Sequence, residues 1–277
     1  VGRESEHAVC AVVAARNEAG RIRHVLGQLM RAGVGACIVI NNGSQDETAA
    51  LARATALMWA ATGRTLRVLE VAEPLGPDVG RAYGAYVGLR DFPRAAAYVF
   101  VDGDWGGGFG PQLAAFLQAA RESGAWVAYA DSRHRPLRTD ARIYRDLAHR
   151  FAPHLQGAAV PELPLFIRRE AFTRVSPWWL HQPGLFFAHC LRQGVPMAVV
   201  PRLVFNVRIR GDKTRGAAHQ ARMRETLLGD AVEAARFLLA RPPGRHWRGR
   251  SHVGLASTRR LDVLARLAAT AEIRMTR

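Results

Sequence analysis

The chain has 277 residues, 49% of them apolar, and a formal charge of +16. That apolar share, with a mean hydropathy of −0.07, supplies a sizeable core and excludes wholesale disorder. No uninterrupted apolar run approaches the roughly 20 residues that span a bilayer. The charge says less than its size suggests. Of the 39 basic residues only Lys213 is lysine, and the arginines run along the whole chain without the aromatic interleaving of a single-strand binder. An Arg- and Ala-rich chain with four asparagines is what a GC-rich genome gives. The charge is therefore read as background plus attraction for an anionic ligand, with no nucleic acid expected as partner. The segment from Arg202 onward is the exception, with 17 basic residues against 6 acidic. Cys10, Cys37 and Cys190 have no paired spacing, and Val1 to Glu6 lack the order of a signal peptide. A soluble, cytoplasmic protein is expected.

Ala8 to Ala15 is a short apolar run ending in polar Arg16-Asn17-Glu18, the pattern of a buried strand and its loop. Ile22, Val25, Leu26 and Leu29 then recur at helical spacing, closed by Gly33. Ala36 to Ile40 is a second strand and Asn41-Asn42-Gly43-Ser44 its turn. Ser44 with Glu47 three residues on predicts a capping box for a helix to about Thr62. A third strand spans Leu66 to Val71, a helix Gly80 to Arg90, and a fourth strand runs from Ala97 to Val101, ending at Asp102. Helix 111–122 and strand 125–130 continue the alternation. Such crossover units predict an α/β fold with a Rossmann-like, mostly parallel sheet flanked by helices, and ligands beyond the carboxyl ends of its strands.

Past Arg133 the pattern loosens. The loop Ser132 to Arg138 leads to a helix near 140–151, and Pro161-Glu162-Leu163-Pro164 precedes the apolar stretch Leu165 to Ile167. Pro177-Trp178-Trp179-Leu180-His181 opens a further loop before helix 184–193 and strand 196–200. From Ala217 the tail is mostly helical, broken at Arg241 to Arg250.

The strongest chemical signal is Asp102-Gly103-Asp104 at the end of an apolar strand. Two carboxylates one residue apart, with glycine between, can turn to one cation, and Mg²⁺ or Mn²⁺ takes one or two carboxylates plus phosphate oxygens. Asp102 and Asp104 are the expected metal ligands. Arg16-Asn17-Glu18 suits a ribose or base, or else a helix N-cap. Consecutive Asn41 and Asn42 exceed what a turn needs in a chain with four asparagines. Gly80-Arg81 opens a helix and brings a guanidinium that could meet an anion, or is an ordinary helix start.

In order and spacing, Ala14-Ala15-Arg16-Asn17-Glu18, Val39-Ile40-Asn41-Asn42-Gly43-Ser44-Gln45-Asp46-Glu47-Thr48 and Val101-Asp102-Gly103-Asp104 resemble the GT-A glycosyltransferases, family 2 and its relatives. The resemblance covers about the first 130 residues and implies a GT-A fold. It also implies a nucleotide-diphosphate-sugar donor, UDP-linked by expectation, and a Mg²⁺ or Mn²⁺ cofactor. Ala15, Arg16, Asn17, Glu18, Asn41, Asn42, Gly80, Arg81, Asp102 and Gly103 would form the nucleotide site. The second loop carries asparagine where the family has an acid.

The implied organisation is a nucleotide-sugar-binding half over 1–131, an acceptor-binding half of the same domain over 132–216, and a basic helical extension over 217–277. The acidic pair that usually supplies the base in inverting members is missing from His181-Gln182-Pro183-Gly184. Leu165 to Phe172 and Asn206 to Arg210 are similar to the retaining glucosyl-phosphoglycerate synthases, with Arg210 standing where those enzymes have a metal-binding histidine. Asn206 to Lys213 is expected to close on the diphosphate. Arg208, Arg210 and Lys213 would stabilise leaving-group charge, and Glu162 and His181 are candidates for base or acceptor contact. Trp178 and Trp179 fit either a sugar or the core.

The acceptor would be a small molecule or a lipid-linked sugar, and the Arg133 to Arg138 loop points to an anionic one. Peripheral contact with the inner membrane through the helix bearing Leu261, Val263, Leu264, Leu267 and Ile273 stays open, as does a homodimer. The competing reading is a degenerate domain that uses its basic tail on nucleic acid or membrane.

Overall fold

The computed structural model describes residues 9–133, 136–200 and 216–275, with side chains described to residue 270. Seven strands form the main sheet: β1 (Val9–Ala15), β2 (Ala36–Asn42), β3 (Thr65–Val71), β4 (Ala97–Asp102), β5 (Val127–Ala130), β6 (Leu165–Arg168) and β7 (Met197–Val200). Their order is β3-β2-β1-β4-β6-β5-β7. All run parallel except β6, which lies antiparallel between β4 and β5. The apolar stretch Leu165 to Ile167 is thus a strand in its own right, too short for a periodic signal.

Among the described residues, eight helices surround the sheet: α1 (Ile22–Arg31), α2 (Thr48–Ala61), α3 (Val79–Asp91), α4 (Gly110–Glu122), α5 (Thr139–Phe151), α6 (Pro183–Arg192), α7 (Ala217–Leu238) and α8 (Leu261–Met275). The central strands are buried on both faces, which is why they read as unbroken apolar runs. Alternate residues divide between two cores. Val9, Ala11 and Val13 of β1 join Leu26, Leu113 and Trp59 on one face. Cys10 and Val12 join Tyr86, Phe186 and Ala231 on the other.

Helix α3 lies close against the sheet through glycines at every fourth position. A Cβ on Gly84 would run into Val12, and one on Gly88 would stand 2.6 Å from Tyr98 Cε1. The tail belongs to the same body. Leu264 is fully buried, and Leu261, Val263 and Leu267 pack beside it in the core that holds α3. Between α7 and α8, the expected break holds a small hairpin of β8 (His246–Trp247) and β9 (Arg250–Ser251). No described helix is long and apolar enough to cross a membrane.

One local expectation is corrected. The capping box at Ser44 and Glu47 does not form. Helix α2 starts at Thr48, Glu47 makes no side-chain cap, and the Ser44 hydroxyl instead accepts from the Asn17 amide at 3.0 Å. A partner across the loop displaced the local one.

Candidate functional site

The strand order reverses between β1 and β4, because β2 and β3 lie to one side of β1 and β4 to the other. Loops leaving the carboxyl ends of β1 and β4 therefore diverge and leave a crevice. Register sets what stands at its edge: Ala15 pairs with Asn41 on one side, and Ala14 with Asp102 on the other. Residues from three separate predicted motifs are thereby brought to one line.

The loops after β1 and β2 are tied to each other. Asn17, in the left-handed region with φ 55°, accepts from the Gln45 amide at 2.8 Å. The Glu18 amide donates to Thr48 Oγ1 at 2.7 Å, and the Ala19 amide to Asp46 Oδ2 at 3.1 Å. Burial works against its charge, yet bonds from Thr48 and the Ala19 amide hold Asp46 below the usual carboxylate range. Arg16 and Asn17 are exposed and Glu18 half-buried. The Asn17 side chain shapes this loop and does not cap α1, whose N-cap is Arg21.

The paired asparagines have separate environments. Asn42 Oδ1 accepts from the Leu75 amide at 2.7 Å, which fixes the loop between β3 and α3. Asn41 is 4% exposed, and its Oδ1 has no hydrogen-bond partner among the described residues. A buried carbonyl without a donor is costly, so this atom suits a ligand N–H.

Asp102 closes β4. Gly103 turns the chain directly over β1. Its amide donates to Ala14 O at 3.2 Å, and a Cβ there would stand 2.7 Å from Ala15 Cβ. Burial pushes the Asp102 carboxyl up to about 6. Arg81 opposes this, while the charges of Asp104 and Asp78 add to it and a bond from Trp105 lowers it. Asp104 is half-buried.

Arg81 is the cation whose charge acts on Asp102. Its Nη2 lies 3.2 Å from Asp78 Oδ1, and Nη1 donates to Pro161 O at 3.3 Å. Gly80 faces the sheet, where an added Cβ would stand 3.0 Å from Ala14 Cβ.

Because β6 runs antiparallel to β4, with Leu165 opposite Phe100, the loop before it returns to the same edge. Glu162 is there, half-buried, 3.8 Å from Arg138. Arg138 also pairs with Asp140 at 2.9 Å, and Arg133 with Asp131 at 2.6 Å.

His181 is set apart from this edge. It is 5% exposed in a short 3-10 turn, with Nδ1 2.6 Å from Trp178 O and its ring stacked on Trp179. Burial and the Arg259 charge lower its pKa, partly offset by the Trp178 carbonyl and by Asp230 and Asp78. Trp179 also stacks on His189 at 4.1 Å. Asn206, Arg208, Arg210 and Lys213 lie outside the described residues.

Asp78, Asp230 and Arg259 carry no sequence signal, yet they stand behind Arg81. Asp78 is positive-φ at the start of α3 and contacts both Arg81 and Arg259.

No protein-family model matches the sequence, nor does any curated protein sequence. Solved structures do match the fold. Glucosyl-3-phosphoglycerate synthase from Mycobacterium tuberculosis, with Mn²⁺, UDP and glucosyl-3-phosphoglycerate, superposes with a TM-score of 0.53. The match is 15% identical and covers 85% of this chain and 81% of that one. The same synthase with Mg²⁺ and UDP gives 0.53 at 16% identity, covering 84% of this chain and 79% of that one. A mannosyltransferase from Pyrobaculum calidifontis, with GDP-Man and Mn²⁺, gives 0.54 at 17% identity, covering 95% and 73%. The chain has the GT-A fold that these glycosyltransferases share.

Proposed function

We propose that the protein is a glycosyltransferase that moves a sugar from a nucleoside-diphosphate donor, UDP-linked by expectation, to an acceptor hydroxyl. The observation that carries this is the carboxylate pair at the crevice. Burial, with a smaller part from the Asp104 and Asp78 charges, holds Asp102 up to about 6, so a cation shared by Asp102 and Asp104 would offset both the burial of charge and their repulsion. Among the described residues no third His, Cys, Asp or Glu joins them. A carboxylate pair completed by ligand phosphate oxygens fits Mg²⁺ or Mn²⁺. Asp102 and Asp104 would hold that ion, which supplies charge neutralisation for a diphosphate leaving group.

The chain's own residues do the rest. Asn41 Oδ1, buried and unsatisfied, accepts from an N–H on the base, a role open to uracil. Asn42 holds the Leu75 loop against the pocket. Arg81 places a positive charge between the carboxylates and the Pro161 loop, where the diphosphate and the acceptor meet. Structural neighbours with bound Mn²⁺ and a nucleotide support the assignment. So does the coincidence of three separate motifs at one sheet edge.

The acceptor side favours an anion. Arg133 and Arg138 keep 71% and 44% of their side chains exposed while each pairs with a nearly buried aspartate, so each can also meet a carboxylate or phosphate. Lys213 and Arg210 are assigned to the leaving phosphate. Glu162 is assigned to the acceptor, at whose edge it stands, and His181 is kept as the second acceptor-side candidate despite its burial.

Calorimetric titration of UDP and GDP, with and without Mn²⁺, on wild type and Asp104→Ala tests the reading. Metal-dependent tightening that Asp104→Ala abolishes is expected, with UDP preferred. Failure to bind either nucleotide, together with a salt-sensitive shift of DNA, would replace it with the basic-tail reading.

A further inference from the structure

The loop between β3 and α3 is clamped from the far end of the chain. Arg259 Nε donates to Pro77 O at 3.3 Å, across 182 residues of sequence. The Arg260 amide donates to Leu75 O at 2.8 Å, and the Arg260 guanidinium pairs with Glu73. Gly76, at φ 83°, has no room for a Cβ because the Thr258 carbonyl lies against it. Residues 258–260 thus line the outside of the loop whose inside is fixed by Asn42.

Within this clamp, charges alternate toward the crevice. Asp230, 2% exposed at its side chain, takes both prongs of Arg259, with Nη1 to Oδ1 at 3.0 Å and Nη2 to Oδ2 at 2.7 Å. Arg259 Nη2 is also 3.6 Å from Asp78 Oδ2, and the other oxygen of Asp78 takes Arg81 at 3.2 Å. Arg81 follows Gly80, which faces Ala14, the residue that pairs with Asp102 across the sheet. Asp230 does not depend on Arg259 alone, because Arg245 Nη1 donates to its Oδ1 at 2.7 Å.

We infer that Arg259 is a positioning residue of the donor pocket: through Asp78 it fixes the Arg81 guanidinium beside Asp102, so that the C-terminal segment forms part of the nucleotide site. Asp78 alone could hold Arg81 in several rotamers. With one oxygen occupied by a guanidinium that is itself fixed at both prongs, it presents the other in a single direction. This assignment rests on the nucleotide-sugar reading.

The test uses the full-length protein as wild type, Asp78→Asn, Arg259→Lys and the double variant. Amide hydrogen exchange is followed without ligand, and UDP affinity is measured in Mn²⁺. Asp78→Asn leaves the Asp230–Arg259 pair intact, so it separates positioning from folding. The expected result is faster exchange over residues 73–81 with unchanged exchange in α7, and UDP binding weakened roughly ten- to hundredfold, the worth of one hydrogen bond to a charged group. The double variant is expected to bind no worse than Asp78→Asn, since both changes cut the same link. UDP binding that stays at the wild-type level in Asp78→Asn, or penalties that multiply in the double variant, would overturn the positioning role alone. A wild type that binds neither UDP nor GDP overturns the donor reading, and the positioning role with it, whatever the exchange shows.

Discussion

Gly103→Ala is a small change whose consequence follows directly from the packing of the crevice. The new methyl would stand 2.7 Å from Ala15 Cβ, 3.0 Å from Ala15 Cα and 3.1 Å from Ala14 O. Carbon atoms prefer about 3.5–4.0 Å, so the methyl comes at least about 0.8 Å too close to Ala15 Cβ and about 0.5 Å too close to Ala15 Cα. None of the three atoms is the end of a flexible side chain, and the two strands are in register there, with Ala14 opposite Asp102. The turn must therefore lift. Overpacking of this kind costs about 1–3 kcal/mol, and at roughly 2–4 °C per kcal/mol for a domain of this size the melting temperature should fall by several degrees. The larger effect should be on binding, because Asp102 and Asp104 flank the displaced residue and, on the proposed function, would share one cation only while their spacing is kept. Mn²⁺-dependent UDP affinity by calorimetry is expected to drop at least about tenfold, a loss of roughly 1.4 kcal/mol. Ala15→Gly in the same chain should recover part of it. A Gly103→Ala protein with wild-type melting and wild-type Mn²⁺ dependence would refute the argument that this turn is set by contact with β1.

Two further outcomes follow from the same geometry. Asn42→Ala removes the acceptor of the Leu75 amide and should cost about 1 kcal/mol, read as a lower denaturant midpoint and faster exchange at Leu75; Asn42→Asp, which keeps an acceptor, should restore both. His181 and His189 are both held below the ordinary value of 6.5, chiefly by burial, with Arg259 and Arg192 adding repulsion. Below that pH the unfolded chain takes up protons that the folded one refuses, so stability is full above 6.5 and is lost as pH falls through the folded values. Denaturant midpoints between about pH 8 and pH 5 should show this decline, and His189→Phe should make it shallower; an identical slope in the variant would refute the assignment.

The strands β1, β2 and β4 were legible because they are buried on both faces and end in polar residues. An apolar run that stops at Asp102-Gly103-Asp104 states the strand and its end, and Asn41 and Asn42 stood out against a composition poor in asparagine. What could not be read is whatever depends on a partner remote in sequence. Ser44 and Glu47 have the spacing of a capping box, but the Asn17 amide, 27 residues before Ser44, takes the hydroxyl. Residues 165–168 are too few to show alternation, so β6 read only as an apolar stretch with no direction in the sheet. His181 read as a loop histidine, yet the turn that carries it packs against α3 and buries the ring. In each case tertiary contact outweighed a local pattern.

Arginine shows the same limit most clearly, and in its case the background hid the function. An excess spread along the chain reads as genome composition, and nothing near Arg259 or Arg245 marks them as different from their neighbours. Both nevertheless end on the buried Asp230, one through two parallel bonds and the other through one. That geometry needs a planar fork, which lysine lacks, so the choice of arginine here is set by structure as well as by composition. Burying this carboxylate is tolerable only because its charge is met from two sides. The basic excess after Arg202 is thus in part an internal fastening, by which a C-terminal segment holds the loop between β3 and α3.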